Sequence, residues 1–130
     1  VLLGSKDFIH QARRVRKVLG GGMRQAGIIA AAGLYALDNH VDRLADDHQR
    51  AQKVGFALEK QAWVKNVLPV ETNIVVAHLS EPEKRDEIIH YFSENGIKIM
   101  AFGPGMLRFV LHLDVSDEAV DKIIETIEKR

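Results

Sequence analysis

The chain has no cysteine among its 130 residues, which excludes a disulfide framework and thiolate metal ligands. Its six histidines show neither H-x-x-x-H nor H-E-x-x-H spacing, so no catalytic zinc site and no other metal site is expected. A chain without cysteine fits a reducing compartment, and we expect a cytoplasmic location.

The chain also has no excess charge of either sign, because 18 basic side chains balance 18 acidic ones. It therefore lacks the overall field that would attract nucleic acid or an anionic membrane, and neither is expected as a partner. No aromatic residues are interleaved with the one local basic cluster, as a single-strand binder would need, so most of its side chains are interpreted as surface charges. The cluster comprises Arg13, Arg14, Arg16 and Lys17.

Long apolar runs are missing as well. The longest, residues 28–37, has ten residues including Gly33, about half of what a membrane span requires. The chain opens on Val1-Leu-Leu in mid-pattern and without an initiator methionine, so we expect it to be a fragment of a longer protein.

Helical spacing of apolar residues predicts three helices in the first half of the chain. Ser5 fits the N-cap of the first, which should end at Gly20. The second, residues 24–37, is apolar on nearly every face, so we expect it to pack against a domain absent from this chain or another subunit. The third should run from about His40 to Trp63, with a charged face typical of a helix that joins two domains.

The second half changes to β-branched segments and shorter helices. A helix with Ser80 as N-cap should end at Asn95-Gly96, and a last helix should begin after Ser116. Strands are predicted at residues 67–70, 72–79, 97–100 and 106–113. This order predicts a small α+β domain with a three- to four-stranded, mostly antiparallel sheet, covered by helices on one face.

The most informative motif is the segment Gln11–Gly27, in which a basic helix runs into three glycines at 20–22 and then Arg24. Glycines tolerate positive φ and leave their backbone N–H groups accessible. With Lys17 before them and Arg24 after them, they are suited to bind a phosphate. The alternative is a helix C-cap and turn, with Lys17 as a solvated helix lysine. Neither a G-x-G-x-x-G nor a P-loop pattern is present, so nucleotide motifs do not apply.

A second candidate is Arg108, in a predicted strand whose alternation places it opposite Leu107 and Phe109. An arginine on the polar face of an amphipathic strand is usually just exposed, but its planar guanidinium also binds carboxylates in a bidentate manner. His112 falls on the same face, where it lines the same site or makes a structural hydrogen bond.

Three segments carry a family resemblance: Gly-Gly-Gly-Met-Arg-Gln-Ala-Gly at 20–27, Leu-Asp-Asn-His-Val-Asp-Arg-Leu-Ala-Asp-Asp-His at 37–48, and His-Leu-Asp-Val at 112–115. Together they resemble the low-specificity L-threonine aldolases, pyridoxal-phosphate enzymes of the aspartate aminotransferase-like fold. The resemblance covers essentially the whole chain. It implies the C-terminal portion of an α/β protein, with residues 1–45 ending the large cofactor-binding domain and 46–130 forming the small C-terminal α+β domain.

The resemblance implies a pyridoxal 5'-phosphate-dependent lyase of amino-acid metabolism. Such an enzyme cleaves the Cα–Cβ bond of L-threonine, L-allo-threonine and similar β-hydroxy-α-amino acids, giving glycine and an aldehyde. It further implies that Lys17 and Arg24 bind the cofactor phosphate, Arg24 across a subunit interface, and that Arg108 binds the substrate carboxylate.

In that family the lysine that carries the cofactor lies just upstream of a strand like Val1-Leu-Leu-Gly4, and no lysine here has a Ser-Lys-Gly-Leu-like context. The resemblance therefore implies no catalytic residue in this chain, which should be inactive alone. The implied partners are the N-terminal part of the same protein, a small amino-acid substrate and further copies in a homotetramer built as a dimer of dimers.

Two other interpretations stay open. One is a non-catalytic α+β ligand-binding or regulatory module that holds an amino acid with its sheet and the Phe102–Gly105 loop. The other is an oligomerisation module built around the apolar helix. The encoded sequence before Val1 discriminates them, because a Ser-Lys-Gly-like motif there favours the lyase and an initiator methionine favours the modules.

Overall fold

The computed structural model describes all residues, 1–130, and the chain divides into two compact units, Val1–Val41 and Asp42–Arg130. No helix in either unit combines the length and the apolar character that a membrane span needs.

The first unit consists of α1 (Lys6–Val18) and α2 (Ala26–Asn39). The Ser5 hydroxyl caps α1 by accepting a hydrogen bond from the Phe8 N–H at 3.3 Å, as predicted. The helix ends where Gly20 adopts a φ of 82°, a left-handed conformation that favours glycine. Neither helix contains a buried residue.

The apolar side chains of α2 are therefore uncovered within their own unit. Ile28, Ile29, Leu34 and Leu37 expose 74%, 60%, 62% and 66% of their surface. A helix that is apolar all round is normally buried, but no residue of α2 is buried here.

The second unit opens with α3 (Leu44–Glu59), which is shorter than the predicted helix at both ends. Residues 40–43 form a turn after α2. At the other end Gln61 redirects the chain, because its side-chain amide donates to the Ala57 carbonyl and its backbone N–H donates to the Leu58 carbonyl, both at 3.0 Å. Local hydrogen bonding thus overrides the continuing helical pattern.

A four-stranded sheet follows, antiparallel throughout and in the order β1-β2-β4-β3. Its strands are β1 (Val64–Val67), β2 (Ile74–Leu79), β3 (Met100–Ala101) and β4 (Met106–Val110). This confirms the predicted small α+β arrangement, although the strand bounds shift. The first strand begins three residues before the predicted one, and Pro69, which has no N–H to donate, lies beyond it.

Three helices cover one face of this sheet, since α4 (Arg85–Glu94) and α5 (Asp117–Glu128) join α3 around a single core. Phe92 of α4 meets Phe109 of β4 edge-to-face, with 5.5 Å between ring centroids. The strand side chains in this core are Val64, Val75, Ala77, Leu79, Leu107 and Phe109. Arg108, which alternates with Leu107 and Phe109, lies on the other face.

The ends of α4 and α5 test three predicted caps. Ser116 accepts from the Ala119 N–H at 3.3 Å and caps α5, and α4 ends before Gly96, whose φ is 76°. The prediction for Ser80 is wrong, because its hydroxyl instead donates to the Ala62 carbonyl at 3.0 Å. A short 3-10 turn, Pro82–Lys84, leads into α4.

An ion pair links α3 to the N-terminus of α5. Arg50 Nε donates to Asp117 Oδ1 at 2.9 Å. The hydrogen bond from Arg50, together with its charge, lowers the pKa of the Asp117 carboxyl below its ordinary value.

Candidate functional site

The first two glycines of the triplet terminate α1. The Gly20 N–H donates to the Lys17 carbonyl at 3.2 Å, and the Gly21 N–H donates to the Arg16 carbonyl at 2.8 Å. These bonds satisfy carbonyls at the end of the helix. The first two glycines therefore act as the helix C-cap and turn that the sequence offers as the alternative to a phosphate site.

The third glycine is covered by a lysine. A β-carbon on Gly22 would lie 2.7 Å from Lys17 Cδ and 2.9 Å from Lys17 Nζ. The Lys17 side chain therefore folds back over the turn and brings its ammonium group against the Gly22 backbone. No carboxylate of the chain pairs with Lys17 or with Arg24.

Arg24 is exposed and stands just before α2, whose N-cap, Gln25, has the left-handed conformation φ 52°, ψ 28°. No side chain caps this helix. The start of a 14-residue helix with uncapped N–H groups attracts an anion, because the backbone dipoles add there. Lys17, Arg24 and this helix start belong to the same unit, and their charges suit a phosphate group.

Arg108 lies in the second unit, on β4, paired with Val76 of β2 and Met100 of β3. The residues on either side of it, Leu107 and Phe109, expose 0% and 3% of their surface. The predicted alternation is confirmed, and Arg108 stands on the face that the helices leave uncovered.

The hydrogen-bonding capacity of the Arg108 guanidinium is largely unused. Its Nη2 donates to the sulfur of Met100 at 3.3 Å, and a thioether is a weak acceptor. Its Cζ lies 5.6 Å from the centroid of the Phe102 ring. Its Nε is buried and has no hydrogen-bond acceptor. A charged donor left without an acceptor is costly, so the guanidinium is incompletely satisfied by the residues of this chain.

His112 makes the structural hydrogen bond. Its Nδ1 accepts from the Asp114 N–H at 3.3 Å, and the ring is exposed beyond the end of β4. Since β4 ends at Val110, strand alternation no longer controls where this side chain lies.

Sequence reasoning missed two neighbours of Arg108. The sequence predicts Met100 at the end of a strand at 97–100 and Phe102 in a loop, but it gives no register that places either residue against β4. Only the pairing of Met100 with Arg108 brings them there. Elsewhere, no three histidine, aspartate or glutamate side chains gather as a metal site.

Curated relatives extend the resemblance. The chain is 38% identical over 132 residues to the probable low-specificity L-threonine aldolase 2 of Arabidopsis thaliana, covering 99% of this chain and 37% of that protein. It is also 38% identical over 123 residues to the low specificity L-threonine aldolase of Escherichia coli K12, covering 95% and 35%. The chain thus spans about a third of the length of these relatives, and the resemblance is confirmed.

Solved structures support the fold. The chain matches one described as "Transaminase with L-ala" with a TM-score of 0.66 and 20% identity, covering 91% of this chain and 32% of that one. At such identity the match establishes the fold alone. In sequence, the family model for beta-eliminating lyases matches residues 1–82. This chain belongs to the beta-eliminating lyase family.

Proposed function

We propose that the chain is part of a pyridoxal-phosphate-dependent L-threonine aldolase, to which it contributes the anchors for the cofactor phosphate and the substrate carboxylate. The parent enzyme cleaves β-hydroxy-α-amino acids into glycine and an aldehyde. The observation that carries the proposal is Arg108, a guanidinium on the uncovered face of the sheet whose one hydrogen bond is to the Met100 thioether, in a chain whose relatives are named threonine aldolases.

The turn between α1 and α2 fits the phosphate of the cofactor. A β-carbon at Gly22 would collide with Lys17, so glycine is what allows the ammonium group to approach the backbone. Lys17 and Arg24 supply two positive charges, and the uncapped start of α2 supplies N–H donors. When bound, pyridoxal phosphate supplies the electron sink for breaking the substrate bond.

Arg108 binds the α-carboxylate of the amino acid. A carboxylate leaving water must regain hydrogen bonds, and the guanidinium offers two parallel donors in a planar fork. A carboxylate is also a far better acceptor than the Met100 sulfur, so the ligand would displace this contact. By holding the carboxylate, Arg108 orients the substrate about Cα and affects the chemical step as well as binding.

The remaining chemistry belongs to the rest of the parent protein. We assign residues 1–45 to the end of the large cofactor-binding domain and residues 46–130 to the small C-terminal domain. The lysine that carries the cofactor is expected in the N-terminal part, so this chain alone would be inactive. The proposed parent is cytoplasmic, consistent with the lack of cysteine.

The parent is further proposed to be a homo-oligomer, a tetramer built as a dimer of dimers. Support comes from the exposed apolar surface of α2, because leaving such surface in water costs about 25 cal/mol per Å². Ile29→Glu should reduce the sedimentation coefficient of the parent protein by weakening association. An unchanged coefficient would contradict the assignment of α2 to a subunit interface.

The activity is tested with the full-length protein and L-threonine. Glycine and acetaldehyde should form in equal amounts, and formation should depend on added pyridoxal phosphate. Absence of both products with cofactor-loaded protein would remove the aldolase proposal. Amino-acid binding without cleavage would favour the ligand-binding module.

A further inference from the structure

We propose that Phe102 and Arg85 are positioning residues for Arg108: Phe102 holds the guanidinium in place, and Arg85 fixes the turn that carries Phe102. This inference rests on the proposed role of Arg108 in binding the substrate carboxylate. Neither residue is assigned to touch the substrate or the cofactor.

The Arg108 guanidinium needs support from neighbouring residues to keep one orientation. Arginine has a long side chain with several rotatable bonds, and a bidentate site works only if the fork is held in one orientation. Within the chain Arg108 makes one weak hydrogen bond, to Met100. No carboxylate pairs with it. Its orientation must therefore come from packing.

Phe102 supplies that packing. Its ring centroid lies 5.6 Å from Arg108 Cζ, within the range of a cation–π contact. The Phe102 N–H donates to the Met106 carbonyl at 3.0 Å, which anchors its backbone to β4, the strand that carries Arg108. Phe102 is 44% exposed, so it is not part of the hydrophobic core. A ring kept at the surface beside an arginine is explained by its effect on that arginine.

The turn that follows Phe102 fixes where the Phe102 ring lies. Gly103 and Gly105 have φ values of 77° and 63°, so the turn depends on two left-handed glycines. Such a turn needs contacts that select its conformation. Arg85 provides one, because its Nη1 donates to the Gly103 carbonyl at 2.9 Å. Gly105 provides another, since a β-carbon there would lie 2.6 Å from Pro82 Cβ.

Arg85 thus connects the start of α4 to the turn, and the turn connects to Arg108 through Phe102. Arg85 also forms an ion pair from its Nε to Asp86 Oδ1 at 2.8 Å. The Asp86→Asn variant removes this pair and leaves the bond to Gly103 in place, which makes it a matched control.

The experiment uses the full-length holoenzyme with L-threonine. Phe102→Leu and Arg85→Ala should each raise KM by about two- to fivefold, the range for loss of an exposed cation–π contact. Phe102→Tyr keeps the ring, so its KM should equal that of the wild type. Asp86→Asn should also leave KM unchanged. Pyridoxal-phosphate affinity, measured by absorbance titration, should be the same in all four variants.

A double-mutant cycle provides the decisive readout. If Phe102 and Arg85 act through Arg108, their substitutions should have no further effect on kcat/KM in an Arg108→Ala background. Equal losses in both backgrounds would overturn the proposal, as would a lowered melting temperature with unchanged KM. Phe102→Leu removes no buried core residue, so we expect this variant to fold. It therefore tests the proposal even if Arg85→Ala folds poorly.

Failure of the underlying function gives a different pattern. If Arg108→Ala alone leaves kcat/KM for threonine unchanged, the carboxylate role is wrong and the positioning proposal ends with it. If Arg108→Ala is impaired while Phe102→Leu and Arg85→Ala match wild type, only the positioning proposal is overturned.

Discussion

Lys17 and Gly22 are in close contact, because a β-carbon on Gly22 would lie 2.9 Å from the Lys17 ammonium nitrogen. In the full-length enzyme Gly22→Ala should displace this side chain and weaken pyridoxal-phosphate affinity roughly tenfold, the effect of losing about 1.5 kcal/mol from one charged hydrogen bond. Absorbance titration measures the affinity. In a Lys17→Ala background the same substitution should have no effect, and an equal loss there would mean that Gly22 acts independently of Lys17.

Arg24→Ala should weaken cofactor affinity by one to two orders of magnitude, since a charged hydrogen bond contributes roughly 1.5 to 3 kcal/mol. The matched control is Arg14→Ala, which removes an exposed arginine of α1 and should leave the affinity unchanged. Equal affinities for Arg24→Ala and wild type would count decisively against the phosphate assignment.

Arg108→Lys should retain the positive charge but lose the bidentate geometry, so kcat/KM for threonine should fall roughly 10- to 100-fold. Both kcat and KM should change, because the arginine orients the substrate as well as binding it. Cofactor affinity should remain near normal. Lys65→Ala on β1, which removes an exposed lysine, serves as the control. If Arg108→Ala stays within a few fold of wild type, Arg108 is a surface arginine.

Residues 42–130 should fold when expressed alone, because every buried hydrophobic residue lies between Ala51 and Ile127. We expect a single cooperative unfolding transition in urea, monitored by the fluorescence of Trp63. Residues 1–41 contain no fully buried side chain and should show no cooperative transition when their helical circular dichroism is measured, since the single tryptophan lies outside them. A gradual change in the 42–130 fragment would mean that its core needs further cover.

Asp117→Asn should lower the melting temperature of this fragment at neutral pH by removing the partner of Arg50. The pKa of Asp117 is lowered in the folded state, so its stabilising contribution is present at neutral pH. That contribution is lost as the pH falls below about 4. The difference between wild type and variant should therefore shrink as the pH falls through the pKa of Asp117 in the folded state. Asp121→Asn, at an exposed α5 position without an ion pair, is the control, and a pH-independent difference would contradict this account.

Features controlled by neighbouring residues were predictable from the sequence. The caps at Ser5 and Ser116 were predicted and confirmed because each hydroxyl bonds an N–H three residues along the same chain. The face of Arg108 followed from alternation with Leu107 and Phe109. Ser80 was predicted wrongly, because its partner is the Ala62 carbonyl, 18 residues away, which a local pattern cannot reveal.

The sequence by itself determined the α+β class, the family resemblance and the three candidate residues, because helix periods, caps and motifs are written in contiguous residues. Only the tertiary structure decided that Met100 and Phe102 stand beside Arg108 and that Arg85 reaches the Gly103 carbonyl. These contacts depend on sheet register and on a turn with two left-handed glycines. Register is set by pairing between distant segments, and its energy is spread over many contacts that no single stretch of sequence contains.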